Sequence, residues 1–430
     1  MKKILIITYY WPPAGGPGVQ RWLKFTKYLP EFGYDTFVYI PENPSYPILD
    51  ETLDKDINPK VNIIKNKIWE PYQLAEKLNP KNKSYKGGHF EQKEQQSLMS
   101  QLSVFIRGNF FIPDARKFWI NPSVDYLRDF LQKENIETIV TSGPPHSMHL
   151  IGLKLKQELP NLKWLADFRD PWTQISYHKE LKLTSWAAKK HESLERSVMQ
   201  KADVVLATSY ADAKNFKKIG AKKVEVITNG FEEVKQHIQK ETTHFHITYS
   251  GGLEMLRNPI VLWKALSEII QENPSFKEDF KLNFYGSLAE DVKQTILDLG
   301  LEQNLILHGY VAHQDSLNAI NLAHILLLTN FDNTASKGII PGKLFEYMAT
   351  GNPILAIGPT DADVEKILNK TKAGNYFTHQ QFADVKTFIL SIYKQWLANP
   401  NQKFETNEEE VQQFNRKNLT KKLVEIVDEL

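Results

Sequence analysis

The sequence predicts an α/β protein of two domains, each built on a mainly parallel sheet. Three observations carry that expectation. The chain has 430 residues, about two to three times the usual length of one domain. Short β-rich runs alternate with amphipathic helical stretches almost throughout, the signature of strand–helix–strand units. One polar segment interrupts the alternation and divides the strands into two series.

The first series holds strand candidates at residues 3–9, 36–40, 61–64, 137–141, 162–167, 204–207 and 224–227. The second holds 246–249, 281–285, 305–308, 325–328 and 353–357, with helices expected at 259–271, 290–299, 343–349 and 361–368. Between them, residues 232–244 carry Glu232, Glu233, Lys235, Gln236, Lys240 and Glu241 with few large apolar side chains, and read as a linker. The expected organisation is a first domain over 1–231, that linker, a second domain over 245–405, and a final helix over 406–430. In that last segment Val411, Phe414, Leu419, Leu423, Ile426 and Val427 recur at helical spacing. One buried face is implied, on a helix long enough to cross back onto the first domain. Residues 79–97, rich in lysine and glutamine around Gly87 and Gly88, read as a surface loop.

Composition narrows the function. The chain is 41% hydrophobic, 11% aromatic and 24% charged, an ordinary soluble globular profile. Lys plus Arg number 53 against 51 Asp plus Glu, which argues against a dedicated nucleic-acid binder. The absence of cysteine removes disulfides, iron–sulfur clusters, thiolate zinc sites and cysteine nucleophiles together. No apolar run approaches the roughly 20 residues needed to span a bilayer. The opening residues from Met1 to Ile7 run into Tyr9, Tyr10, Trp11, Pro12 and Pro13 with no small-residue cleavage site, so they read as a buried first strand rather than a signal peptide. The expected setting is cytoplasmic.

Candidate sites gather where strands end, and each has a bland competitor. The glycine-rich turn from Trp11 to Gly18 lets backbone amides approach an anion at a helix N-terminus. Gly15, Gly16 and Gly18 lack the dinucleotide-binding spacing, which counts against hydride transfer. His146 stands at a helix start, where the helix dipole favours a neutral imidazole; the competing reading is a capping histidine. His149 reads as a surface or packing residue. Asp167, Arg169 and Asp170 follow another strand, either as a site or as an ion pair that ties the loop down. Gly251 and Gly252 end the first strand of the second domain. Asn258 and Pro259 read there as N-cap and first helical residue, with Arg257 beside them as a cradle for a diphosphate. Gly338 to Gly342 is one residue too short for a Walker A loop, and Leu344 stands where its Ser or Thr belongs. Lys343 and Glu346 share a helix face, suited to a phosphate and a ribose diol, or to a surface ion pair of little worth. Asp361 and Asp363 form an Asp-x-Asp that capping explains. His244 and His246 lack a third ligand, so no metal is expected. Residues 98–119 mix apolar bulk with Arg107, Arg116 and Lys117, suited to a membrane surface or a lipid-bearing substrate, or to core packing of a helical insertion.

With these residues laid out, the chain resembles the retaining glycosyltransferases of family 4, over nearly its full length. The stretch from Gly251 to Arg257 is similar to the family's Gly-Arg-Leu-x-x-x-Lys loop. Gly338 to Glu346 is similar to its Glu-x7-Glu element, and Gly351 to Pro353 to the Gly-x-Pro that follows. Gly15, Gly16 and His146 match family positions. Asp167 to Trp172 resembles a bacterial subgroup associated with cell-surface polysaccharide assembly. The resemblance implies two Rossmann-like doubly wound domains facing a central cleft (the GT-B fold), with the C-terminal helix crossing back.

The resemblance also implies roles. Arg257 would bind the donor diphosphate, Glu346 the nucleotide ribose, Gly16 the phosphate region from across the cleft, and His146 the donor sugar. His146 and Asp170 are the catalytic candidates; Gly15, Gly16, Gly252, Arg257, Ile340, Gly342, Lys343 and Glu346 are the donor-binding ones. No cofactor and no metal are expected, because cations and helix N-termini neutralise the leaving group. The partners are a nucleotide-diphosphate sugar and a glycan or lipid-linked acceptor, with peripheral contact at the inner face of the membrane. Two departures stand out. Gly338 falls where the family has the first glutamate of Glu-x7-Glu, and Gly252 where it has the loop arginine. Lys343 is positioned to supply the missing positive charge, and the amides of Ile340 and Gly342 to hold the sugar. Competing readings are a catalytically silent binding protein, a nucleotide-sugar epimerase and a dehydrogenase.

Overall fold

The computed structural model describes residues 1–71, 98–232 and 243–430. The expected surface loop at 79–97 and all but the ends of the expected linker lie outside them. The chain divides into two compact units, Met1–Thr228 with Leu419–Leu430, and Asn229–Asn418.

The first unit is a seven-stranded sheet of β1 (Lys2–Ile7), β2 (Tyr34–Pro41), β3 (Asn62–Asn66), β4 (Thr138–Gly143), β5 (Lys163–Phe168), β6 (Val204–Ala207) and β7 (Val224–Val226). Its order is β3-β2-β1-β4-β5-β6-β7, and the paired strands run parallel, Ile4 lying opposite both Thr36 and Thr138. Helices cover both faces of such a sheet, so its central strands are apolar without alternation; Ile4, Leu5, Ile6 and Ile7 are all fully buried. Ile4 and Ile6 pack into one core and Leu5 and Ile7 into the other, as the period of two requires.

The second unit has six parallel strands, β8 (Phe245–Ser250), β9 (Phe280–Tyr285), β10 (Leu305–Gly309), β11 (Ile325–Thr329), β12 (Ile354–Ile357) and β13 (Gly374–Phe377). They are ordered β10-β9-β8-β11-β12-β13. Both orders reverse direction once, between β1 and β4 and between β8 and β11. Ligands of doubly wound sheets bind beyond the carboxyl ends of the strands at that reversal.

Two sequence expectations need correction. Strand β13 was not expected: Gly374-Asn-Tyr-Phe377 is a short edge strand, buried only at Phe377, so it lacks an apolar run. The C-terminal segment is two helices, Glu408–Gln412 and Arg416–Asp428, rather than one. Phe231 interrupts them. Its N–H donates to the Phe414 carbonyl at 3.1 Å and its carbonyl accepts from Arg416 N–H at 2.9 Å, replacing bonds that a continuous helix needs. The break also divides the apolar face. Val411 and Phe414 join a core of the second unit, while Leu419, Leu423, Ile426 and Val427 join the first-unit core with Ile4 and Ile6.

One buried ion pair fixes the edge of the reversal in the first unit. Asp167, fully buried near the end of β5, accepts from Arg21 Nε and Nη2 and, at 2.7 Å, from Trp22 Nε1. Arg21 Nη1 also reaches the Thr228 carbonyl at 2.9 Å. Helix Pro17–Tyr28 is thereby locked to the sheet. Removing one partner of such a pair strands the other charge and costs about 3–5 kcal/mol, whereas replacing both with apolar groups is often near neutral. Urea unfolding of Asp167→Asn should therefore show a loss of about 3–5 kcal/mol, and Arg21→Met/Asp167→Leu should recover most of it. Equal losses in the two variants would show that packing, not charge, holds this helix.

Candidate active site

The candidate residues stand on loops that leave the strands at, or next to, each reversal. In the first unit these are the loops after β1, β4 and β5. Arg169 binds the three together: its Nη1 donates to the Gly18 carbonyl at 2.6 Å, its Nη2 donates to the Pro144 carbonyl, and its guanidinium faces the Tyr10 ring at 5.8 Å. A Cβ at position 18 would meet Arg169 Nη1 at 2.8 Å, which explains a glycine there. The ion pair of Arg169 with Asp167 or Asp170, one of the two readings of this stretch, does not form; Asp167 is occupied by Arg21. Asp170 is exposed. Gly16 is the N-cap of helix Pro17–Tyr28, with φ 89°. Gly15 commits its N–H to the Ile48 carbonyl at 2.9 Å. Of the two glycines, Gly16 is therefore the one whose amide is placed for an anion.

His146 is the N-cap residue of helix Ser147–Glu158, but its side chain caps nothing. Asp114 caps instead, accepting from Ser147 N–H and Ser147 Oγ at 2.8 Å each. The His146 ring is thus released from local duty. It is 7% exposed, lies flat on the Trp172 indole at 4.8 Å and 2°, and has no hydrogen-bond partner at either nitrogen. Burial, then the neighbouring His149, holds its pKa well below the ordinary histidine value, so the ring is neutral at pH 7. A buried neutral imidazole with unengaged nitrogens is suited to bind a hydroxyl. Trp172 is itself fixed, because its Nε1–H donates to His191 Nδ1 at 3.0 Å. His149 is a packing residue, as one of its two readings had it: it stacks on Phe168 at 4.1 Å, touches Thr141 Oγ1 at 2.9 Å, and is held by burial at a pKa of about 3.

In the second unit β8 ends at Gly251, whose φ of 106° suits glycine. The loop then runs so close to the one after β9 that a Cβ on Gly286 would lie 2.4 Å from the Gly251 carbonyl oxygen. Gly252 follows, its carbonyl accepting from Tyr249 Oη at 2.9 Å. Arg257 closes a single turn, Met255–Arg257. Its guanidinium lies 5.0 Å from the Phe331 ring and 3.4 Å from Glu254 Oε2, and its buried Nε has no hydrogen-bond acceptor. Asn258 is not the helix cap that its sequence suggested. Helix Ile260–Glu272 has Pro259 at the N-cap, and Asn258 instead accepts from Trp263 Nε1 at 2.7 Å.

Helix Gly342–Thr350 carries the remaining candidates, with Pro341 at its N-cap. The loop before it is held by Asn330, which donates to the carbonyls of Ser336 and Ile339, leaving Ile340 and Gly342 at the helix entrance. A Cβ on Gly342 would touch nothing within 4 Å. Lys343 forms no ion pair with Glu346 among the described residues. It turns to place Nζ 3.9 Å from the centre of the Tyr249 ring, beside the Gly251 bend. Burial first, then the charge of Arg257, lowers its pKa to about 7, with Glu346 pulling the other way. Two cations pressed together in a partly dry site are unfavourable until an anion joins them. Trp172, His191, Asp114 and Tyr249 were missed as supporting residues. Their partners are distant in sequence, and no spacing signals them.

Residues 244–394, about a third of the chain, match the family Glycosyl transferases group 1. Sucrose-phosphate synthase from Thermosynechococcus elongatus is similar at 14% identity over 100% of this chain and 99% of that one, with a TM-score of 0.59. Anabaena HepE in complex with UDP is similar at 13% over 100% of both chains, with a TM-score of 0.58. A trehalose-6-phosphate protein from E. coli bound with UDP-2-fluoro glucose aligns at 10% over 100% and 99%, with a TM-score of 0.61. These likenesses establish the GT-B fold. No curated protein matches the sequence.

The lysine makes a testable demand on stability. Its pKa is about 7 folded and about 10.4 unfolded, so between those values the unfolded chain binds more protons and stability rises with pH. Lys343→Met should unfold at higher denaturant than the parent at pH 7 and lose that rise. A parallel pH profile in the variant would show that Lys343 is not the group responsible.

Proposed function

Starting from a second unit that is a glycosyl transferases group 1 domain, we propose that the chain is a metal-independent, retaining glycosyltransferase of the family 4 type. It moves a sugar from a nucleotide-diphosphate sugar to a glycan or lipid-linked acceptor. The observation that carries this reading is the placing of Arg257 near enough to Lys343 to lower its pKa, beside an open helix entrance, with the largely exposed Glu254 as the ion-pair partner of Arg257 among the described residues.

The second unit's share is the nucleotide. Arg257 and Lys343 neutralise the diphosphate, the amides at Ile340 and Gly342 complete its cradle, the Gly251–Gly252 bend lets it approach the backbone, and Glu346 accepts from the ribose hydroxyls. Lys343 thus stands in for the arginine replaced by Gly252. The first unit's share is the sugar and its acceptor. His146 bonds a sugar hydroxyl, Gly16 offers its amide to an anionic oxygen, and Asp170 is the second catalytic candidate. In the reaction the bond from the anomeric carbon to the diphosphate oxygen breaks. The acceptor oxygen bonds that carbon on the same face, and its proton passes to the departing diphosphate. Charge on the leaving group is met by Arg257 and Lys343, which is the work a metal does elsewhere. A cytoplasmic setting and an acceptor presented at a membrane complete the proposal. Gly252 and Gly338, which lack the side chains of the family pattern, favour one rival: a protein that binds nucleotides without turnover.

Donor identity is the first experiment. Thermal unfolding against UDP, GDP, dTDP, ADP and CMP compounds should single out one base, since ligand at 100 times its dissociation constant adds about 2.7 kcal/mol. With that donor, Arg257→Ala and Glu346→Ala should raise its dissociation constant about tenfold or more. His146→Ala should lower kcat with little change in KM for the donor. Unchanged kinetics in all three would defeat the assignment, and binding without turnover would select the rival.

Binding should also move a proton. The diphosphate raises the pKa of Lys343 from about 7, so at about pH 8 the complex takes up a proton that the free protein lacks. Calorimetry in buffers of different ionisation enthalpy should show that uptake, with affinity falling as pH rises above about 7, and Lys343→Met should abolish both. Proton release on binding would refute the role given to Lys343.

A further inference from the structure

Helix Leu98–Phe110 of the first unit is anchored by one face and, among the described residues, leaves the other uncovered. Val104, Gly108 and Asn109 are buried. A Cβ on Gly108 would lie 2.7 Å from the Leu181 carbonyl, and Asn109 Oδ1 accepts from the N–H and hydroxyl of Thr184. The opposite face presents Leu102, Phe105, Ile106 and Phe110, the last 63% exposed. Core packing, the bland reading of this stretch, thus accounts for one face only.

The apolar surface continues past the helix. Lys117 Nζ donates to the Phe110 carbonyl at 2.7 Å and lies over the rings of Phe111 and Phe118. Phe118 meets Trp69 edge to face at 4.6 Å, and both are exposed. Trp186, 67% exposed, stands at the start of the helix whose N-cap, Thr184, bonds Asn109.

Charge decides what covers this face. Apart from Arg116, which is buried and paired with Glu70 at 3.1 Å, residues 98–119 and 176–190 contain six lysines and arginines against two carboxylates, Asp114 and Glu180. Asp114 is turned inward onto Ser147, while Lys182, which reaches across to Gln101, is exposed. Exposed tryptophan and phenylalanine rimmed by cations match the boundary between anionic headgroups and acyl chains, where rings insert and lysines meet phosphates. We propose that helix Leu98–Phe110 with Phe118, Trp69 and Trp186 docks the protein on an anionic lipid bilayer. The inference rests on the first unit alone and does not require the transferase reading, although it would place the protein where a lipid-linked acceptor lies.

The test is cosedimentation of the full chain with vesicles of phosphatidylglycerol and phosphatidylethanolamine, against vesicles of phosphatidylcholine alone. Nucleotide is omitted, so the result is independent of the donor site. The protein should pellet with the anionic vesicles, less so in high salt. Ile106→Ser/Phe110→Ser should weaken partition about tenfold or more, with an unchanged unfolding midpoint because both side chains are exposed. Arg107→Gln/Lys182→Gln should reduce both the partition and its salt dependence, and it serves if the serine pair disturbs folding. Failure to pellet with anionic vesicles, equal binding to phosphatidylcholine, or variants indistinguishable from the parent would overturn the proposal. A dimer in solution that the serine pair dissolves, without vesicle binding, would assign the face to a second copy and overturn it equally.

Discussion

The ion pair of Asp167 with Arg21 is the constraint on which the first unit's site loops depend. A carboxylate with no exposed surface must find its partners inside the protein, and Asp167 finds them on the helix that follows the glycine turn. That contact sets where Gly16 and Gly18 stand. It also leaves Arg169, two residues on, with no carboxylate within ion-pair distance, and Arg169 turns to the carbonyls of Gly18 and Pro144 instead. Three loops from three strands are thus held by two arginines. The His146 ring rests on this frame through Phe168 and Trp172.

The second unit is organised by the opposite condition, a surplus of charge. Arg257 and Lys343 have aromatic faces, Phe331 and Tyr249, beneath them rather than full carboxylate partners. Aromatic faces hold a cation without neutralising it. The site is therefore suited to an incoming anion, and burial first, then the Arg257 charge, lowers the pKa of the lysine to about 7. Electrostatic preorganisation of this kind costs folding stability and returns it when the charged ligand arrives.

Much of this was legible beforehand. Twelve strand candidates correspond to β1 through β12 within a few residues, because strands buried on both faces read as short apolar runs between turn residues. The missed strand, β13, pairs along one edge only and carries Gly374 and Asn375, so burial left no imprint on it. The C-terminal segment misled for a related reason. Its apolar spacing is that of one helix, but Phe414 and Leu423 serve different cores, and a backbone exchange with Phe231 divides them. Candidate residues could be singled out because glycines, a proline and cations at strand ends are local signals. Their tasks were less legible: Asn258 and His146 both looked like caps, and neither caps.

The sequence by itself determined which segments are strands, which loops follow them, and that cations and glycines cluster on those loops. Each of these properties is written in a few adjacent residues. Tertiary structure alone decided partners. That Arg21 takes Asp167, that Asp114 caps a helix and frees His146, that His191 fixes Trp172, and that Lys343 leaves Glu346 for Tyr249 are contacts between residues 19 to 146 positions apart, the Lys343–Glu346 alternative excepted. Charges and hydrogen-bond donors have several candidate partners in any sequence. Which one is met depends on burial, and burial is a property of the packed sheet rather than of the local chain.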